Sequence, residues 1–591
     1  MGANACDDVF GWADRDPGRA MFAARADGGW QPVTAAQFAG RVGAVAAGLI
    51  ATGIRPGDRV GVMAPTSLEW VICDFAIWAA GAVTVPIYET SSAEQIDWQL
   101  SDSGAVAVFA GNTRLAEAIR AAQPAKVEAI WQLDTGGLDA LARAGQGAAA
   151  GEVARRRAAV TAETLATIVY TSGTTGRAKG CMISHGTLTE AVRAIIAVPG
   201  VQEQVLTRDA SSLFFLPLSH VLARAVVLCL VHAGKRSGFL PDPNQLSGAL
   251  ATFRPTILLT VPRVLEKIAA AAREQAEAER HQRLFAAAEA TAMAWSRAGR
   301  RAGPWLRLRH AAFGRPVYAR LRQALGGRVA WVISGGAPLD EDLGHFLHGA
   351  GLTVMEGWGM TETVGPIIMN RPAVQRIGSV GLPLPGCQVR AAADGELEVQ
   401  GPDVFQGYWQ DPQDTSAAFD GPWLRTGDLG RVDDDGWVYV TGRKKEMLIT
   451  AGSQHVAPSA LEDKIREHWL IAECTVVGDR RPYVAALITL DEEAFARWKK
   501  RQGKPAGATI GELRDDPDLR AVVQQAVDRA NAGVSRPETI KRFRILPGQF
   551  EVGAELTPTG KVRRDYVLAK YASEIDALYG EPGPAVPPDG K

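Results

Sequence analysis

Apolar positions near the start of the chain follow two spacings in turn. From Phe38 to Ile50, and again from Leu68 to Ala80, they recur every three or four residues, as on one face of a helix. Arg59–Met63 and Ala82–Ile87 are short, nearly continuous apolar runs of the kind that form buried strands. Helices alternating with buried strands predict an α/β layer around a largely parallel sheet. The pattern returns from Leu213 to Thr260 and from Val329 to Met355, and between these Val264 to Leu325 reads as a long helical stretch rich in Ala and Arg. From Gly386 to Val440 the texture changes. Gly and Asp turns separate short alternating strands such as Gly395–Val399 and Gly436–Val440, which predicts a small β subdomain. A further α+β unit follows from about Arg443 to Ala572. The expected fold is therefore α/β: a large N-terminal domain (1–442) of two α/β subdomains plus a β subdomain (about 386–442), then a small α+β domain (443–575). A disordered tail (576–591) is expected from its Pro and Gly content. No repeat of solenoid period is visible.

Composition narrows this picture. At 591 residues the chain exceeds what one hydrophobic core supports. A net charge of -1 gives no reason to expect a nucleic-acid partner. Six cysteines without a CxxC pair read as reduced, mostly buried thiols of a cytoplasmic protein. The N-terminus lacks the basic start and apolar core of a signal peptide, and Cys6 stands where a myristoylation site needs Ser or Thr. The longest apolar stretch, Leu213 to Val231, is interrupted by Pro217, His220 and Arg224, which suits buried core better than a membrane span. Nine arginines from Arg297 to Arg328 (297, 300, 301, 307, 309, 315, 320, 322 and 328) have no acidic residue among them. Either they form a solvated face, or they meet anionic lipid headgroups or a phosphorylated ligand, with the protein peripheral on the inner membrane face.

The candidate chemistry begins at Thr171-Ser172-Gly173-Thr174-Thr175-Gly176-Arg177-Ala178-Lys179-Gly180, directly after the apolar run Leu165 to Tyr170. Glycines let backbone N–H groups approach an anion, hydroxyls add donors, and Lys179 adds charge, so this strand-to-loop unit fits phosphate. It is not the common P-loop, in which a Ser or Thr follows the Lys. Five more segments suit a nucleotide. Ser334-Gly335-Gly336-Ala337-Pro338 follows the apolar run Val329 to Ile333, where a base or ribose can approach the backbone. Glu356-Gly357-Trp358-Gly359-Met360-Thr361-Glu362-Thr363 offers an aromatic, a hydroxyl and a carboxylate able to hold a divalent cation. Trp423 to Asp428 places Asp428 after a Gly turn, as an acceptor for ribose hydroxyls. Gly442-Arg443-Lys444-Lys445-Glu446 marks the domain junction, and Leu556 to Val562 carries a lone Lys561 on a turn. Each segment alone has an ordinary reading as turn or core; their joint occurrence in this order does not.

With these motifs the chain resembles the AMP-forming acyl-CoA synthetases of the adenylate-forming superfamily, from about Trp30 to Leu578. Leu216 to Arg224, Arg254-Pro255-Thr256 with Val261 to Val264, His455 to Pro458 with Leu461-Glu462-Asp463, and Gly478 to Tyr483 resemble the long-chain fatty acid branch, as do inserted helices before Phe543 to Leu546. The resemblance implies that a fatty acid attacks Mg-ATP to give acyl-AMP and pyrophosphate, and that CoA then displaces AMP. It assigns Thr171 to Lys179 to the β- and γ-phosphates, Thr171 and Glu362 to Mg²⁺, and Gly335, Gly336, Glu356, Gly357 and Trp358 to adenine. It also assigns Thr361 to the α-phosphate, Asp428 and Arg443 to ribose, His220 to the acyl carboxylate and Lys561 to the transition state. Lys445 matches the hinge of a mobile C-terminal domain, and Gly452, Ser453 and His455 the CoA side. The chain departs from the common pattern at Thr450, where several relatives carry a nucleotide-contacting Lys, and at Leu222, where an aromatic gate is frequent. The alternatives are a ligase that passes the acyl group to a carrier protein or activates another acid, and a non-catalytic binder. Against the last stand Lys561, Glu362 and Asp428, since a binder has no use for a transition-state cation.

Overall fold

Small polar residues start several helices, among them the first two that the sequence pattern places. Thr34 accepts the N–H of Gln37 and opens Ala35–Ala51, Ser67 accepts that of Trp70 and opens Leu68–Ala79, and Ser184 opens His185–Ile196 in the same way. The computed structural model describes residues 4–26, 29–147, 150–171, 177–451, 455–557 and 560–580. Arg59–Met63, Val83–Ile87 and Leu165–Thr171 are strands, matching the apolar runs.

Among the described residues two large sheets form the N-terminal region. In the first, Ala20–Ala26, Arg236–Phe239, Ser211–Phe214, Ile257–Thr260, Trp331–Gly335 and Thr353–Met360 run parallel, with antiparallel strands added at both edges. In the second, Val83–Ile87, Arg59–Met63, Ala107–Ala110 and Ala129–Gln132 are parallel, and Leu165–Thr171 continues that set before Lys179–Ser184 turns back antiparallel to it. The helix Val221–His232, buried but for Leu222 and His232, belongs to the core between these layers. Its Arg224 makes a bidentate pair with Asp74 of Leu68–Ala79, at 2.9 and 3.1 Å, and donates to Thr167 Oγ1 at 3.0 Å. A five-stranded antiparallel sheet spans Gln388 to Arg443. Beyond it, Ile471–Val477, Val484–Leu490 and Ile540–Ile545 form a separate sheet with its own core.

The stretch from 264 to 325 is helical but broken. Pro262–Ala278, Gln282–Ala298, Pro304–Phe313 and Ala319–Ala324 are separated where Arg280 takes a positive φ, where Gly299 and Gly303 intervene, and where Gly314–Tyr318 widens into a π-turn. The chain is helical to Gly580, with Ile575 and Leu578 buried, so the expected tail does not begin at 576; residues 581–591 lie outside the described residues. All six cysteines are buried and unpaired. No helix among the described residues is long and apolar enough to cross a membrane.

Candidate active site

The parallel strands of the first large sheet end on one side, and their C-terminal ends carry Gly335, Gly336, Glu356, Gly357 and Trp358, with His220, Thr361 and Glu362 in the segments that follow. Open α/β sheets bind ligands there because the loops leaving adjacent strands diverge. Trp331–Gly335 and Thr353–Met360 pair so that Ser334 faces Glu356 and Gly335 faces Gly357. Gly336 takes φ +84° with open space on its Cβ side, a conformation few side chains tolerate. At Gly359 a Cβ would come within 1.8 Å of the Gly365 carbonyl oxygen, so only glycine allows this bulged return of the strand. The Glu356 carboxyl is pushed up to about 8 by burial.

Asp428 is held from two directions. The Trp358 indole N–H donates to its Oδ2 at 2.8 Å, and Arg443 Nε lies 3.2 Å from Oδ1. The antiparallel register that pairs Asp428 with Arg443 creates this contact. Trp358 therefore has its indole edge committed to Asp428 while its ring packs on the core.

Glu362 is buried beside Thr361, in the short turn Thr361–Thr363. Burial raises its carboxyl above the ordinary range, opposed by the Tyr408 hydroxyl, which donates to Oε1 at 2.8 Å, and by the charge of Arg443. Cys181 approaches both Glu362 and Thr171. Thr171 ends its strand opposite Lys179, whose ammonium lies 5.1 Å from the Tyr408 ring centre and is paired with Asp414. Tyr408 and Asp414 were not singled out by sequence; their only trace is the pair Tyr408-Trp409 ahead of a turn. Among the described residues Glu362 has no ion pair at salt-bridge distance, so a buried carboxylate near a hydroxyl fits a divalent cation that would supply the missing charge.

His220 caps the buried helix Val221–His232, and its Nδ1 accepts the Leu222 N–H at 3.2 Å. The neutral ring therefore carries its proton on Nε2, as a donor. Burial and the nearby Lys561 charge push its pKa down to about 4, so the ring is neutral at pH 7. Lys561 sits at the end of a turn closed by Thr557 N–H donating to the Lys561 carbonyl at 2.7 Å. The residue stays in contact with water from the cleft, yet protein crowds its ammonium. That crowding, with Arg443 close by, lowers it to about 8 against the opposing pull of Asp428 and Glu446. The structure thus gathers His220, Asp428, Arg443 and Lys561, although Lys561 belongs to the C-terminal unit.

Ser172, Gly173, Thr174, Thr175, Gly176, Gly452 and Ser453 lie outside the described residues. The backbone of His455 pairs with Ile449 in a two-stranded ribbon. Lys445 is exposed at the junction, while its neighbour Lys444 bridges Asp394 and Glu396 at 2.6 and 2.7 Å. Against the helix Pro262–Ala278 lies a cavity of about 680 Å³ lined by Phe215, Leu250, Ile268, Phe285, Val317 and Leu321. Its volume falls within the roughly 300–1,000 Å³ of ligand sites. Phe215 reaches it only five positions before His220.

Known proteins share this layout. Residues 9–409 match the AMP-binding enzyme family, and residues 445–582 match the AMP-binding enzyme C-terminal domain. The long-chain-fatty-acid–CoA ligase FadD15 of Mycobacterium bovis is 46% identical over 587 residues, covering 98% of this chain and 97% of that protein. A fatty acyl CoA synthetase of Mycobacterium tuberculosis has the same fold at a TM-score of 0.62 and 23% identity, over 97% of this chain and 99% of that one. So does the O-succinylbenzoate coenzyme A synthetase of Bacillus subtilis in complex with ATP and magnesium ion, at 0.66 and 20%, over 94% and 98%. With a family model spanning most of the chain and a relative of this identity over nearly all of it, the chain belongs to the AMP-binding enzymes.

Proposed function

We propose that this chain is an ATP-dependent long-chain fatty acid–CoA ligase working through an acyl-adenylate. The observation that carries the reading is the convergence of His220, Asp428, Arg443 and Lys561 beside the buried Glu362, together with a largely apolar cavity that Phe215, five positions before His220, helps to line. The 46% identical relative bears that activity in its name.

In the first half-reaction a carboxylate oxygen attacks the α-phosphorus of ATP, and the bond to the β-phosphate oxygen breaks. His220 Nε2–H orients the attacking carboxylate without neutralising it. Asp428 accepts the ribose hydroxyls, with Arg443 and Trp358 fixing its angle. Gly335, Gly336, Glu356 and Gly357 flank adenine. Lys561, with Thr361, stabilises the charge that grows on the phosphoryl oxygens, which fixed donors do more effectively than water. Thr171 and Glu362 would hold Mg²⁺, which neutralises phosphate charge when bound. The residues from Thr171 to Lys179 take the β- and γ-phosphates, so Lys179 exchanges Asp414 for phosphate. The acyl tail occupies the cavity behind Phe215. In the second half-reaction the CoA thiolate attacks the acyl carbon and AMP leaves. Rotation of the C-terminal domain about Lys445 withdraws Lys561 and brings the segment containing Gly452, Ser453 and His455 to the CoA arm.

The same reading includes peripheral attachment to an anionic bilayer. In Pro304–Phe313, Trp305 is 80% and Leu308 61% exposed, next to Arg300, Arg301, Arg307 and Arg309, which have no ion-pair partner among the described residues. An exposed Trp among arginines fits the interface of an anionic membrane. Arg297, paired with Asp342, and Arg320, paired with Glu279, stand outside this group.

The deciding experiment supplies ATP with carboxylic acids of increasing chain length, with and without CoA, and measures AMP and pyrophosphate. AMP release that needs both CoA and a long-chain acid supports the ligase. Pyrophosphate release without CoA-dependent turnover points instead to transfer onto a carrier protein.

A further inference from the structure

The inserted helices before Phe543 are not used by the chemistry above, yet the first of them touches the large domain. Glu492–Arg501 lies against Pro262–Ala278, and two ion pairs join them. Arg497 Nη2 lies 2.7 Å from Glu274 Oε1, and Arg501 Nη2 lies 2.7 Å from Glu277 Oε2. Residues four apart on one helix and three apart on the other share a face, so the pairs form two rungs with a defined register. Both arginines belong to the domain that carries Lys561, and both glutamates to the domain that carries His220. The acceptor helix is a firm support: Leu265 and Ala269 are buried in the core of the large domain. A third contact lies nearby, where Lys464 Nζ stands 3.6 Å from Asp340 Oδ2 at the start of Glu341–Gly349. All three contacts exist in the orientation that sets Lys561 beside His220 and Arg443. A small domain turning on Lys445 must break the rungs, because their partners sit on opposite sides of that junction.

We propose that the Glu274–Arg497 and Glu277–Arg501 rungs form a latch that sets the fraction of molecules holding Lys561 at the reaction centre. The four side chains are positioning residues for adenylate formation and touch no substrate. This rests on the proposed rotation between half-reactions. The rungs are about half exposed, so each biases the orientation modestly, and losing both shifts it about three- to tenfold. Salt weakens such pairs.

The test uses the full chain with Glu274→Gln/Glu277→Gln, Arg497→Gln/Arg501→Gln, and the fourfold exchange Glu274→Arg/Glu277→Arg/Arg497→Glu/Arg501→Glu. Two rates are measured at low salt: acid-dependent ATP–pyrophosphate exchange, and thioester formation from supplied acyl-adenylate and CoA. The expected result is a three- to tenfold loss of exchange in both neutralised variants, with thioester formation unchanged or faster. The fourfold exchange restores the first rate, and high salt narrows the gap between wild type and variants. Equal loss of both rates marks the pairs as merely structural and overturns the proposal, as does unchanged exchange. Lys561→Ala, run alongside, separates the two failures. If it removes exchange alone while the latch variants do nothing, the latch is wrong and the rotation stands. If it slows both rates equally, the rotation itself fails and takes the latch with it.

Discussion

Replacing Lys561 by Ala removes a cation from a cleft that the structure crowds with protein on most sides. The ammonium shares that space with His220, Arg443 and Asp428. A unit charge about 4 Å from a developing phosphoryl charge interacts by about 4 kcal/mol at the effective dielectric of a partly desolvated site. Deleting one preorganised donor of this kind costs about 3–4 kcal/mol in the barrier. At about 1.4 kcal/mol per decade, Lys561→Ala slows adenylate formation by two to three decades. Arg443 remains nearby, which sets the loss at that size rather than larger. The assay is acid-dependent ATP–pyrophosphate exchange, paired with thioester formation from supplied acyl-adenylate. The second rate stays within a fewfold of wild type, because Lys561 is withdrawn during that step. The pH profile carries independent information. The ordinary lysine value is 10.5 and this one is lowered to about 8, so the required charge disappears as pH rises through about 8. The kcat/KM for exchange, which reports the free enzyme, should fall above that pH, and Lys561→Arg should move the fall to far higher pH. Equal loss of both half-reactions in the Ala variant, or an alkaline limb unmoved in the Arg variant, refutes the role.

Three other expectations rest on separate contacts. Tyr408→Phe keeps the ring near Lys179 but strips the hydroxyl from Glu362; a hydrogen bond to a charged group is worth about 1.5–3 kcal/mol, so the Mg²⁺ concentration for half-maximal exchange should shift tenfold or more, and an unchanged titration counts against Glu362 as a ligand. Arg224→Ala strands the buried Asp74 carboxylate and should cost about 3–5 kcal/mol, read as a large drop in the urea midpoint; a change under about 1 kcal/mol means that the pair is not a fixed strut. Trp305→Ser with Arg307→Gln and Arg309→Gln should weaken cosedimentation with phosphatidylglycerol vesicles while exchange with a soluble acid is unaffected; unchanged partitioning returns the patch to a solvated face.

The elements and the chemical inventory are properties of the linear chain. Buried strands such as Arg59–Met63 and helices such as Leu68–Ala79 are legible because hydrophobic period is a local property. The phosphate loop, the Gly335-Gly336 turn and Lys561 are legible because close backbone approach and a lone turn cation leave compositional marks. The breaks within 264–325 were not, since an Ala-rich stretch keeps its helical period across a π-turn. Tertiary structure alone decided which groups meet. Tyr408 reaches Glu362 across 46 positions, and Asp414 reaches Lys179 across a far longer separation. Arg501 reaches Glu277 across 224. Contacts of that separation depend on strand register and domain docking, which are set by the packing of the whole core and have no local sequence signal. The depressed charge affinity of His220 and Lys561 has the same origin: a side chain's type is written in the chain, while its solvation is a property of everything folded around it.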